Sequence, residues 1–432
     1  MLKKINVAQA RLGMHLHELC GSWLEHPFWK ASFVLREPAD LAKLKSSAVL
    51  QCWIDTSKGL DVEGPPQVAA TPAGPAPEPA KTPAPAAVGV PVPAPVAPKV
   101  APVATVADST SMEEELHHAA KLFQQSRQAV QSLFGEARMG RAVDARTCQP
   151  LVSDITASVW RNSAALVSLV RLKTHDDYSY MHSVAVCALM VTLSRQLGHD
   201  EEQARAAGLA GLLHDIGKAM MPLEVLNKPG ALTGAEYEMM KSHSLRGHHL
   251  LSKGADIDAL ALDVCLHHHE RPDGRGYPHG LAGDALSLPA RMGALCDVYD
   301  AITSNRPYKP GWDPADSVSK MAGWATSGQF DPTLFQLFVK RLGIYPTGSL
   351  VRLHSGRLAV VIEQNPQTLV SPRVKVFLSA TQSPMAPVVL DLSQPSCNDR
   401  ISARESNEKW QFRHLDELWA GADTLGKIGH AS

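Results

Sequence analysis

Between residues 63 and 107 the chain carries thirteen of its 31 prolines, interleaved mostly with alanine and valine. Proline fixes φ and removes a backbone donor, and the small side chains around it offer little surface to bury. Such a stretch cannot build a core. It is expected to be an extended, semi-rigid spacer with polyproline II character. A docking site for a proline-recognition domain is its other possible use; plain linker is the expectation. The 432 residues therefore divide into separately folding parts.

Residues 1–62 are expected to form a small N-terminal regulatory or interaction domain of β or α/β type. Val49–Asp55 alternates apolar and polar residues as a half-buried strand does. Trp23, Phe28 and Trp29 are expected in its core, with a partner surface as the alternative. No phosphoacceptor pattern or Gly-rich phosphate loop points to a role for it.

Residues 108–345 read as almost wholly helical. Ser111 with Glu114, and Thr233 with Glu236, have capping-box spacing. The first should open a helix running to about Arg138, the second a helix that carries His243. Further helices are expected from His182 to Leu197, Glu201 to His214, Ala259 to His269 and Pro289 to Thr303, with Gly217 stopping the one before it. From residue 346 to 432 the period changes. Residues 349–353, 358–362 and 373–378 read as three short strands with turns at Gly356 and Pro366, and the last thirty or so residues read as a poorly ordered tail.

Formal charge is −1, so no broad basic field recruits DNA, RNA or an acidic membrane. The seven cysteines include no C-x-x-C pair, as in a reduced protein. No apolar segment follows the lysines of Met1-Leu-Lys-Lys, and the run Val184–Leu193 is far shorter than the ~20 residues of a membrane helix. Cytoplasmic location without membrane insertion is expected.

Eleven of the chain's 19 histidines fall between His175 and His279. His182, His214-Asp215, His243, His268-His269 and Asp297 lie on separate helical segments, interrupted by the loop Arg271-Pro-Asp-Gly-Arg-Gly-Tyr-Pro278. A lone buried histidine usually just fills a core; seven ligand-type residues near helix ends point to metal. Imidazole with carboxylate suits Fe, Mn, Zn or Ni better than Mg or Ca. The donors outnumber what one ion needs, so two are expected. Adjacent residues on a regular helix point about 100° apart. His214 and Asp215 can therefore share a centre only near a helix end, where the carboxylate can bridge two cations. Asp297 and Asp300 are i, i+3 on one face, so one can ligate while the other orients a ligand. Two cations so held acidify water at neutral pH and offset the charge of a phosphodiester. Lys218, Arg306 and Arg271 are the candidate substrate-binding cations, and Asp215 and Lys218 the candidate catalytic pair.

His214-Asp-Ile-Gly-Lys218 together with His268-His-Glu-Arg-Pro-Asp-Gly-Arg-Gly-Tyr-Pro278 resembles the HD-GYP family, a branch of the HD-domain phosphohydrolases. The likeness runs from about Asp176 to Leu342 and includes Asp177–Ser183, His243 to Gly247, Asp297–Ala301 and Asn305–Lys309. It implies a mainly α protein with an all-helical HD-type domain and a di-iron or di-manganese centre. It also implies hydrolysis of the bacterial second messenger cyclic di-GMP to pGpG or GMP. The N-terminal residues resemble a domain of unknown function often found ahead of HD-GYP domains, and the segment after Pro346 resembles the extension of the same proteins.

Carried over by residue, the resemblance implies one metal on His182, His214, Asp215 and Asp297, and a second on the bridging Asp215 with His243, His268 and His269. Glu270 and Asp300 are implied to orient ligands. Some members bind a third metal through a glutamate where this chain has Tyr178, next to Asp177, so a third metal is not expected. His267 reads as a bystander, and His117-His118 and His248-His249 as exposed. Gly276, Tyr277 and Pro278 form either a plain turn or, as the resemblance implies, a surface for substrate-side contacts or for diguanylate cyclase (GGDEF) partners. The alternatives to a cyclic di-GMP phosphodiesterase are a catalytically silent nucleotide- or cyclase-binding module and a hydrolase of another cyclic dinucleotide or nucleotide. Silent members usually lack ligands, and none is missing here.

Overall fold

The computed structural model describes residues 2–20, 33–45, 51–62, 110–173, 178–228, 230–305 and 311–429. The Pro/Ala tract, Trp23, Phe28, Trp29, Asp177 and Arg306 lie outside them. The chain forms two compact units, Met1–Lys99 and Val100–Ser432.

The first unit is a small antiparallel sheet with one helix. Strands β1 (Leu2–Asn6), β2 (His15–Cys20), β3 (Phe33–Val34) and β4 (Gln51–Asp55) are ordered β1-β4-β2-β3, and α1 (Pro38–Lys45) joins the last two in sequence. Alternation in β4 turns Cys52 and Ile54 inward, where Ile5, Met14, Leu16, Leu35 and Leu44 complete a fully apolar core.

The second unit is helical over its first two-thirds. In chain order the helices are α2 (Met112–Arg138), α3 (Ala145–Arg161), α4 (Ser163–Val170), α5 (Tyr178–Gln196), α6 (Glu201–Leu213), α7 (Leu223–Leu226), α8 (Gly234–Lys241), α9 (His243–Leu251), α10 (Ala259–His267), α11 (Leu288–Thr303), α12 (Pro314–Thr326) and α13 (Pro332–Leu342). Both expected capping boxes form, at Ser111 with Glu114 and at Thr233 with Glu236. The helix opened at Thr233 ends at Lys241, however, and His243 begins a helix of its own after a break at Ser242. Helix α5 is buried on every face from Met181 to Ser194 and packs against α2, α4, α6 and α11. That placement explains why it shows no polar stripe.

Five strands follow where three are expected. β5 (Leu350–Leu353), β6 (Leu358–Glu363), β7 (Arg373–Leu378), β8 (Pro384–Asp391) and β9 (Ile401–Arg404) form an antiparallel sheet in the order β8-β7-β6-β5-β9. The two unforeseen strands are its edges. β8 contains Pro384 and Pro387 and is largely exposed, and β9 has four residues, so neither carries the alternation that marks a buried strand.

The expected disordered tail is also corrected. Helices α14 (Asn407–Trp410), α15 (Glu417–Ala420) and α16 (Ala422–Lys427) end the described chain, with Trp419, Leu425 and Ile428 buried. Helix α15 packs on β6 and α16 on α2, where Gln124 Nε2 donates to Lys427 O at 2.8 Å. Each helix is too short to leave a periodic signature, and tertiary packing rather than propensity stabilises them. No described helix is long and apolar enough to cross a membrane.

Candidate metal centre

The centre begins where α6 ends. His214 keeps helical dihedrals as the C-cap, whereas Asp215 leaves the helix at φ −102°, ψ 10°. The bend lets adjacent side chains face one point. A 3-10 turn, Ile216–Met220, follows. Gly217 lies inside that turn, so it is not the helix stop the sequence suggests. Its role is close packing: a Cβ there would sit 1.9 Å from His243 O and 2.6 Å from Gly247 N. Only glycine lets this turn press against α9 and bring Asp215 beside His243.

The seven candidate ligands come from five helices and their ends, and they converge. His182 Nε2 and His214 Nε2 each lie 3.4 Å from Asp215 Oδ2. On the other oxygen, Asp215 Oδ1 is 3.2 Å from His243 Nε2 and 3.7 Å from His268 Nε2. Asp297 spans the pair from above α11. Its Oδ1 is 3.0 Å from His182 Nε2, and its Oδ2 is 3.7 Å from His269 Nδ1. The donors form two groups that share Asp215: His182 and His214 on one side, His243, His268 and His269 on the other. All are buried except the half-buried His269.

Hydrogen bonds fix which nitrogen faces inward. Nδ1 of His214 meets Gly211 O at 2.7 Å, Nδ1 of His243 meets Met240 O at 2.7 Å, and Nδ1 of His268 meets Val264 O at 3.0 Å. A carbonyl only accepts, so each Nδ1 carries a proton, and in the neutral ring Nε2 then presents a lone pair. His243 Nε2 and His268 Nε2 then face each other at 3.3 Å as two acceptors. Among the described residues, Asp215 Oδ1 and His214 Nε2 are buried without a hydrogen-bond partner. Such an arrangement could hold cations, and this N/O donor set fits divalent transition metals.

Electrostatics agree. Burial, with neighbouring imidazoles, holds His268 well below the usual histidine range, and burial lowers His269 to about 3 against the pull of Asp297. Burial would raise both carboxyls, but Lys218 and His214 hold Asp215, and His182 and His269 hold Asp297, well below the usual carboxylate range. Neutral imidazoles beside ionised carboxylates are what metal binding needs.

His182 is treated differently. Its Nδ1 lies 2.7 Å from Asp300 Oδ2, and Asp300 also accepts from Ser304 Oγ and from Lys173 Nζ. Burial would lower the histidine, yet the hydrogen bonds to Asp297 and Asp300 raise it. Asp300 thus contacts a candidate ligand from behind, as its i, i+3 spacing suggested. Lys173 and Ser304 were not foreseen. A lysine closing the apolar run Leu166–Leu172 reads as a solvated helix end, and no local pattern tells otherwise.

Lys218 Nζ contacts Asp215 Oδ2 directly and is a quarter exposed, at the rim of the cluster. Arg271 is engaged elsewhere: its fork holds Asp273 at 3.0 and 2.6 Å within its own loop. Glu270 is buried but orients no imidazole. Its carboxylate accepts the backbone N–H groups of His279, Gly280 and Leu281 at 2.6–3.0 Å, anchoring the loop instead. Gly276 packs on the same backbone, where a Cβ would lie 2.4 Å from Glu270 Cα. Tyr277 N donates to His269 O at 3.2 Å, its ring stacks on His269 with centroids 4.6 Å apart, and a cis peptide joins it to Pro278. The tyrosine therefore forms a wall of the cluster. His267 turns outward to Asp263, while His117, His118 and His249 are exposed and His248 half-buried.

Residues 151–334 match the family described as HD domain, and residues 2–148 match a domain of unknown function, DUF3391. The chain is 52% identical over 423 residues to the cyclic di-GMP phosphodiesterase PA4108 of Pseudomonas aeruginosa, covering 98% of this chain and 96% of that protein. It is 45% identical over 143 residues to the cyclic di-GMP phosphodiesterase response regulator RpfG of Xanthomonas campestris, covering 32% and 37% of the two chains. A 3'3'-cGAMP-specific phosphodiesterase of Vibrio cholerae is 34% identical over 178 residues, covering 41% of each chain. Among solved structures, Bd1817 of Bdellovibrio bacteriovorus aligns with a TM-score of 0.43 and 16% identity, over 78% of this chain and 98% of that one.

Proposed function

We propose, from the premise that the chain belongs to the HD-GYP branch of the HD-domain phosphohydrolases, that it is a metal-dependent phosphodiesterase hydrolysing cyclic di-GMP. The observation that carries the reading is the two-sided use of Asp215, whose oxygens face separate histidine groups in a chain alike end to end to a cyclic di-GMP phosphodiesterase. His182, His214 and Asp297 would hold one ion with Asp215, and His243, His268 and His269 a second. Iron or manganese is favoured by the resemblance. Such a pair supplies Lewis acidity and a more acidic water at neutral pH.

The chain's own residues do the remaining work. Carbonyl-bound Nδ1–H groups keep the imidazoles in the ligating tautomer. Asp297 and Asp215 remain ionised and so favour cations over protons. Lys218, tied to Asp215 yet partly exposed, can turn its ammonium toward a phosphate oxygen and offset charge as the phosphodiester is attacked. Tyr277 closes one side, held by its stack on His269 and by the Glu270 anchor. Products are pGpG or GMP. The Gly-Tyr-Pro loop is also the surface offered to diguanylate cyclase partners, and the chain works in the cytoplasm.

A second reading, hydrolysis of 3'3'-cGAMP, is favoured by the Vibrio 3'3'-cGAMP-specific relatives, which are alike over a shorter span and at lower identity. The test is cyclic di-GMP and 3'3'-cGAMP turnover by anaerobically purified protein, with metals quantified, beside Asp215→Ala. Turnover that tracks about two Fe or Mn per chain and vanishes in the variant supports the reading. Two metals without turnover of either nucleotide would redirect the search for substrate. Little metal and no turnover would leave a binding module.

A further inference from the structure

We propose that a small cavity bounded by α4, α11, α13 and the segment Pro346–Thr347 binds a small inorganic oxyanion, with Arg171 and Thr347 as its principal contacts. Arg171 follows α4 and is only 8% exposed. Among the described residues its guanidinium has no hydrogen bond and no carboxylate within 4.0 Å; the Trp419 ring lies beside it, 5.8 Å from the guanidinium carbon. The guanidinium nitrogens are not sealed off and can pair with an acceptor placed in the cavity. On one side the guanidinium is hemmed in, since a Cβ on Gly348 would lie 2.4 Å from Nη2.

The same cavity gathers further groups suited to an anion. Thr347 Oγ1 is buried and, among the described residues, has no hydrogen-bond partner. Tyr299 lines the wall with its hydroxyl kept protonated, burial raising it to about 12. The carboxylate of Asp313, which acts on Arg171 only at longer range, caps α12 through the amides of Ala315 and Asp316. Water can accept from these donors but cannot neutralise them. An oxyanion does both, and it suits the two-pronged geometry of arginine. The space is too small for a nucleotide, so the occupant has a few heavy atoms.

The site is separate from the metal cluster but not remote from it. Tyr299 lies between Asp297 and Asp300 on α11, and Arg171 lies two residues before Lys173. An occupant would brace the segment that delivers Lys173 to Asp300. The inference does not depend on the hydrolase reading.

The test is thermal unfolding of the full-length, metal-loaded protein titrated with millimolar sodium sulfate, against sodium chloride at equal ionic strength. The expected result is a saturable rise of a few degrees with sulfate, retained in Asp297→Asn and absent in Arg171→Met. Thr347→Val, which preserves volume, is expected to raise the half-saturating concentration about tenfold. The proposal is overturned if sulfate gives no rise, if chloride matches it, or if Arg171→Met responds like the parent. It is also overturned if the rise disappears in Asp297→Asn while persisting in Arg171→Met, which would put sulfate at the metals. Should Arg171→Met fail to fold, an unchanged half-saturation in Thr347→Val overturns it.

Discussion

Lys173 Nζ bonds both carboxylate oxygens of Asp300 at 2.7 Å, in a place where neither side chain meets solvent. The pair stands behind His182 and fixes the direction of its ring. Replacing Lys173 by Met strands a buried carboxylate, which costs about 3–5 kcal/mol. It also loosens a ligand, lowering metal affinity about 10–100-fold. Metal per chain after dialysis and a denaturant midpoint measure the two effects. Adding Asp300→Asn should recover part of the stability but not the affinity. Full metal content in Lys173→Met would show that the pair is a core contact only.

Glu270→Gln probes the loop anchor. The amide nitrogen of Gln would meet a backbone N–H that now finds an acceptor, setting donor against donor. The expected cost is about 1–3 kcal/mol, localised to residues 279–281. Hydrogen exchange at those amides should accelerate while bound metal stays unchanged. Lost metal with unaltered exchange would return Glu270 to the ligand-orienting role expected from the sequence.

Acid should weaken the metal-stripped protein through His269. Its folded-state value, about 3, lies below the ordinary 6.5, so the unfolded chain takes up the proton first. Stability is therefore complete above about 6.5 and declines as pH falls toward 3, by at most ~1.4 kcal/mol per pH unit for this one group. His268 contributes in the same direction. Denaturation midpoints of chelator-treated protein between pH 7 and 5 should fall less steeply in His269→Gln. Equal slopes would count against a buried neutral imidazole.

The C-terminal helices offer a fourth test. Trp419 is 5% exposed, covers Arg171 and donates its ring N–H to Asp416 at 2.9 Å. Trp419→Ala should destabilise the second unit by about 3–5 kcal/mol. A tail without structural weight would leave the unfolding midpoint unmoved.

What the sequence discloses follows the range of the interactions involved. Capping at Ser111 and Thr233 depends on residues three positions apart, so the helix starts at those sites are legible. The candidate metal cluster is legible because its residues are chemically distinctive, and the fold gathers them around Asp215 at a helix end. Lys173 goes unmarked and Glu270 is given the wrong partner because a charged side chain carries no local sign of burial, and only the folded loop shows which atoms Glu270 serves. Gly217 has the position of a helix stop, and the reason for it comes from α9, a distant segment. Strands β8 and β9 escape because an edge has no inward face to pattern.

The contact of α16 with α2 has a consequence for how the molecule is made. A chain emerging in order covers most of α2 as α3, α4 and α5 follow it, but leaves the patch under α16 open until that distant partner exists. Every intermediate length up to residues 422–427 keeps that patch in water. Covering that patch therefore waits for α16, after the nearer partners of α2 are already in place.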